Sequence, residues 1–131
     1  MAAVTRFEDL RAWQNARTLS NGVFKLCTTT DIKRDLALRD QIYRAAISVM
    51  ANIAEGFSRQ SHKEFARFLD IARGSISEVQ SLLYIALDLG HISQIDFDQV
   101  YGKADQTASL VGGLTAYLRN RTSRPDKPDT N

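Results

Sequence analysis

Apolar residues recur every three or four positions along most of this chain, and nowhere alternate with period two for long enough to build a sheet. The clearest run lies between Gln41 and Arg59. At 3.6 residues per turn, Ile42, Ala45, Ala46, Val49 and Ile53 form an apolar stripe, and Arg44, Ser48, Asn52, Glu55 and Arg59 line a polar stripe beside it. Small and polar residues stand where a surface helix would carry Lys and Glu, so this helix is expected to be covered on more than one side. A second segment, Ala72-Arg-Gly-Ser-Ile-Ser-Glu-Val79, offers Ser75 and Glu78 among small residues. Arg44, Asn52, Glu55, Ser75 and Glu78 therefore read as a largely buried hydrogen-bonded network that holds the two helices in register.

The same periodicity, with the punctuation around it, predicts helices over about residues 7–28, 35–55, 61–89 and 94–120. Thr5-Arg-Phe-Glu8 and Ser61-His-Lys-Glu64 both have the form of a capping box, and open the first and third helices. Leu10, Trp13, Ala16, Val23, Phe24 and Cys27 are the expected core of the first, which Thr28-Thr-Thr-Asp31 halts. Gly56 is the candidate left-handed residue closing the second helix, and Gly90 closes the third. The third buries Phe65, Phe68, Leu69, Ala72, Ile76, Val79, Leu83, Ala86 and Leu87, yet Leu82, Ile85 and Leu89 remain off that stripe. A helix apolar nearly all round needs a second cover, so these three are the candidate oligomer interface. Ser93 or Asp96 caps the fourth helix, with Phe97, Val100, Tyr101, Ala104, Ala108, Val111, Leu114 and Leu118 inward.

Short connections make neighbouring helices antiparallel, so residues 1–120 should form an all-α, up-down-up-down four-helix bundle. Residues 121–131 contain both prolines and no large apolar side chain, and read as a disordered basic tail.

Composition narrows the function. At 131 residues the chain is long enough for one domain that needs no disulfide, metal or cofactor to hold it. The net charge is +2, and residues 119–131 carry four basic and two acidic groups, leaving a neutral body. That balance does not announce nucleic-acid binding, although a basic tail repeated in an oligomer would add a local positive field. Cys27 is the only cysteine and its neighbours are apolar, which excludes an intrachain disulfide and suits a reducing cytosol. No basic leader or long apolar run marks export or a membrane span, so a cytoplasmic, soluble protein is expected.

Catalysis would need a nucleophile beside a base, convergent carboxylates or a metal-ligand cluster, and none is legible. His62 falls in a capping loop and His91 just past a helix end, where solvated side chains are expected. No Glu-x-x-His pair suggests a metal in the bundle. Gly112-Gly113 lies within a helical pattern and lacks the P-loop Lys-Ser/Thr, which favours close helix packing over phosphate binding. For nucleic acid, Arg59, Lys63 and Arg67 step by four and share a face, with Arg73 further along and Arg119 and Arg121 near the end. The competing reading is a solvated face balanced by Glu64 and Asp70.

Four segments carry a resemblance: Phe7-Glu-Asp-Leu-Arg-Ala-Trp-Gln14, Gln41-Ile-Tyr-Arg-Ala-Ala-Ile-Ser48, Asn52-Ile-Ala-Glu-Gly-Phe-Ser-Arg59 and Ala72-Arg-Gly-Ser-Ile-Ser-Glu-Val79. In this order they resemble the four-helix-bundle proteins encoded within intervening sequences of bacterial 23S ribosomal RNA genes, together with stand-alone relatives. The resemblance implies a ring-shaped homopentamer with no established enzymatic activity and a role in binding RNA or DNA. Similar bundles accompany the reverse transcriptases and structured RNA of diversity-generating retroelements. Two departures stand out. Val49-Met50-Ala51 replaces a segment that commonly contains Pro, and Cys27-Thr-Thr-Thr-Asp31 lacks an aromatic-Pro pair. The expectation is thus a non-catalytic homo-oligomer that binds structured RNA or a ribonucleoprotein partner, with a protein–protein scaffold or a small-molecule-binding protein as alternatives.

Overall fold

The computed structural model describes residues 3–122, which form four α-helices: α1 (Arg11–Thr29), α2 (Leu36–Phe57), α3 (His62–Asp88) and α4 (Gln94–Thr122). Single-turn 3-10 helices at Phe7–Asp9 and Asp31–Arg34 precede α1 and α2. Among the described residues there is no strand.

Side-chain pairings give the directions. Between α2 and α3, Gln41 meets Glu78, Ser48 meets Ser75 and Gly56 lies against Phe68. Numbers rise on one helix as they fall on the other, so the two run antiparallel. The same holds for α3 and α4, where Arg119 meets Asp70, Asp105 meets Gln80 and Phe97 meets Tyr84. On α1 and α2, the Ser20 hydroxyl donates to the Ala46 carbonyl at 3.1 Å and the Phe24 and Tyr43 rings lie 5.4 Å apart. Packing of α1 on α4 closes the bundle.

One continuous core fills the centre. Ile42, Ala45, Ala46, Val49 and Ile53 of α2 are all buried, as the periodicity requires, against Leu19, Val23, Leu69, Ile76, Val79 and Leu83. Thr107 and Thr115 of α4 are buried too, because each hydroxyl donates to the carbonyl four residues back, at 2.8 and 2.7 Å. α2 continues unbroken through Val49-Met50-Ala51.

Helix ends depart from expectation in three places. Thr5 and Glu8 form no capping box: α1 starts at Arg11, after a 3-10 turn, with no side-chain cap at Leu10. The Glu8 carboxylate binds Arg6 instead, at 3.0 Å. Ser61 does cap α3, accepting from the Glu64 amide at 3.1 Å, but the Glu64 carboxylate turns to Arg67 rather than back to Ser61. Gly56 does not close α2; it is a buried helical residue, and Gly90, at φ 74°, is the left-handed stop after α3.

Exposure corrects the expected interface. Leu82 is 7 % exposed and belongs to the core, whereas Ile85 and Leu89 are 45 and 57 % exposed. Phe24, placed in the core by its spacing, is half exposed. It stands beside an outer line on α2, Leu36, Tyr43 and Ile47, whose spacing by seven and four puts them on one side of that helix.

Candidate nucleic-acid interface

The corner between α2 and α3 is built on Gly56. A Cβ there would stand 2.7 Å from the Phe68 Cβ and 2.9 Å from the Phe65 ring, so only glycine lets the first turn of α3 pack so closely on the end of α2. Phe65 and Phe68 are thereby drawn inward, and the Phe57 and Phe65 rings meet edge to face at 5.9 Å.

Phe68 organises the charges above it. The Arg59 and Arg67 guanidiniums lie 4.8 and 4.7 Å from its ring centroid, one from each side of the corner. Arg59 also binds Glu55 at 2.7 Å and Arg67 binds Glu64 at 3.3 Å, all four side chains being about half exposed. Lys63 is exposed between them in sequence and forms no ion pair among the described residues. Arg59 and Arg67 meet over Phe68, but Arg59 lies in the connection before α3 rather than on its helical face, so the spacing by four joins only Lys63 and Arg67 to one helix.

The other candidate cations lie elsewhere. Arg73 reaches across to α4, where a Cβ on Gly112 would stand 3.5 Å from its Nη1. Gly112 thus faces a guanidinium rather than a closely packed helix, and Gly113 has open space beside it. Arg119 is paired with Asp70, and that hydrogen bond holds its pKa above the ordinary guanidinium value. Arg121 lies over the Tyr117 ring at 5.2 Å. Arg124 and Lys127 fall outside the described residues.

The polar stripe differs from the buried network expected of it. Its inner part is Ser48, Asn52 and Ser75: the two hydroxyls are 2.9 Å apart, and the Asn52 amide donates to the Ser48 carbonyl and hydroxyl at 2.8 and 3.0 Å. Glu55, Glu78 and Arg44 are exposed. Glu78 accepts from Gln41 at 3.3 Å, Glu55 pairs with Arg59 just past the end of α2, and Arg44 has no partner among the described residues. Long charged side chains at the edge of the stripe reach water at no cost, whereas Ser and Asn are too short to do so.

Residues 8–113 match the family described as 23S rRNA-intervening sequence protein. This chain belongs to that family. In shape it is similar to the crystal structure of a protein with unknown function from the S23 ribosomal protein family of Bacteroides thetaiotaomicron VPI-5482. The TM-score is 0.68 and the identity 20 %, with 79 % of this chain and 94 % of that one covered. At that identity the likeness concerns the fold. No curated protein matches the chain. The 23S rRNA-intervening sequence match takes in Arg59, Lys63, Arg67 and Arg73 and stops short of Arg119 and Arg121.

Both histidines are less solvated than their loop positions suggest. His91 lies 3.1 Å from Asp35, tying the α3–α4 connection to the α1–α2 connection. His62 is half buried, and its Nδ1 is enclosed without a hydrogen-bond partner. Cys27 lines a groove of about 610 Å³ with Phe24, Arg39 and Tyr43, and burial pushes its thiol up to about 11, away from the thiolate a nucleophile needs. Among the described residues no His, Cys, Asp and Glu cluster could hold a metal, and no helix is long and apolar enough to cross a membrane.

Proposed function

We propose that this chain is a non-catalytic binding module of the bacterial cytoplasm, assembled with itself as a ring-shaped homopentamer, that presents the α2–α3 corner of each subunit to structured RNA or an RNA–protein complex. The observation that carries this reading is the stacking of Arg59 and Arg67 on Phe68 beside the unpaired Lys63. Two guanidiniums gathered over one ring place their positive charge at a single corner, and a guanidinium is the side chain best shaped to bind phosphate through paired N–H groups. Glu55 and Glu64 neutralise part of that charge, which limits affinity for any one subunit and makes repetition around an oligomer the source of strength.

Self-association is supported by two exposed apolar sets, one on α1 and α2 and the other at the end of α3. One is Phe24 with Leu36 and Ile47; the other is Ile85 with Leu89. Two unlike patches favour head-to-tail contact, which closes into a ring, over the self-complementary contact of a dimer. The same sets favour a second reading, a protein–protein scaffold with no nucleic-acid ligand.

Salt titration separates the two. Binding to structured RNA is expected to weaken steeply with salt, each phosphate contact adding about 0.7–0.9 to the slope of log affinity against log salt. Changing Arg59, Lys63 and Arg67 together to Ala should lower the slope by roughly 2 without altering particle size. If the unmodified protein binds no RNA or duplex DNA at about 50 mM salt, where phosphate contacts are strongest, the scaffold reading takes its place.

A further inference from the structure

Next to these arginines, the end of the bundle opens into a recess of about 710 Å³ between the N-terminal segment at Ala3, Val4 and Leu10, the α2–α3 connection and the last turns of α4. Its walls have three properties. They are aromatic, with Phe57 and Phe65 on one side and Tyr117, 54 % exposed, on the other. They carry polar groups, the Gln60 amide and the Ser61 hydroxyl that caps α3. They also include the imidazole of His62, the first residue of α3. Two cations stand at the recess, Arg59 in its lining and Arg121 over Tyr117, and Lys63 and Arg67 follow outside the lining on the first turns of α3.

Aromatic walls beside an amide and an imidazole suit a planar heterocycle with polar edges, and the cations at the rim and along the start of α3 suit the phosphates that flank it. We propose that this recess takes one unpaired base of a single-stranded RNA segment, stacked on Tyr117, with its flanking phosphates on Arg59, Lys63, Arg67 and Arg121. The inference rests on the RNA-binding reading above and narrows it to unpaired nucleotides. A base inside an A-form duplex is stacked and paired on both sides and cannot enter a recess, whereas a looped or terminal base can be splayed out.

The test uses the full chain at low salt with three probes: a single-stranded RNA of about ten nucleotides, a duplex RNA of the same length, and the single strand with 2-aminopurine at its centre. The single strand should bind more tightly than the duplex, and the 2-aminopurine emission should be quenched on binding. Tyr117→Ala should weaken the single strand roughly tenfold, abolish the quench, and leave the salt slope and the duplex affinity unchanged, since the phosphate contacts remain. Tyr117→Phe should behave as the unmodified protein. Tyr117 is half exposed, so neither change should move the melting temperature much. Equal affinity for the two RNAs, with no effect of Tyr117→Ala, would overturn the base site while leaving RNA binding intact. No binding of any probe by the unmodified protein would remove both, and a change in particle size on Tyr117→Ala would make the recess a contact between subunits instead.

Discussion

Single residues at the α2–α3 corner carry more of the packing than their size suggests. Replacing a helical glycine by Ala ordinarily stabilises by about 0.5–1 kcal/mol, through the backbone entropy lost on folding. Gly74 and Gly113, with nothing within 4 Å of the added methyl, should follow that rule. Gly56→Ala should reverse it and destabilise by about 1–3 kcal/mol, because the methyl would press on the Phe65 and Phe68 side chains. Urea unfolding of the three variants measures both signs, and a stabilised Gly56→Ala would mean that α3 shifts freely on α2. Cys27 supplies a titration signal. Below pH 9.0 the thiol is protonated in both states; between there and about 11 the unfolded chain releases the proton while burial keeps it on the folded one. Stability should therefore fall as pH rises through that window, and Cys27→Ala should remove this part of the fall, measured as the difference between the two unfolding free energies at each pH.

At the scale of elements, Asp35 joins two connections that the chain order separates. One carboxylate oxygen accepts from the Leu38 amide at 3.3 Å and caps α2; the other lies 3.1 Å from His91. The Asp31 amide donates to the His91 carbonyl beside them. Asp35→Ala should cost about 1–2 kcal/mol, as cap removal does, whereas Asp35→Asn, which still caps, should lose well under half of that in chemical denaturation. This paired role was not legible in the sequence, where Asp35 and His91 stand far apart and no spacing links them. Local signals were legible: the α2 stripe, the Ser61 cap and the Gly90 stop each depend on residues within a few positions. The failures share a cause. Gly56, Leu82, Phe24, Glu55 and Glu78 were assigned by type and period, but their burial depends on which neighbouring helix passes at their level, and Thr107 and Thr115 enter the core by satisfying their hydroxyls within their own helix.

Among the apolar side chains the bundle leaves uncovered are Ile85 and Leu89 at the end of α3, and assembly is their expected fate. Ile85→Lys with Leu89→Lys should reduce particle mass in light scattering at tens of micromolar while leaving the helical circular dichroism unchanged, since both side chains point out of the core. A particle of 14.7 kDa for the unmodified chain would remove the assembly argument altogether. The contact between α1 and α4 has a different consequence, one of timing. Every other helix pair in the bundle is joined by a few residues, so its partners meet soon after the chain collapses; α1 and α4 are brought together only once the intervening helices have docked. That seam should form after the rate-limiting step of folding. Val100, which packs beside Gly22 across it, provides the probe: Val100→Ala should speed unfolding and leave the refolding rate nearly as it was, the signature in a chevron plot of a side chain whose contacts are absent from the transition state.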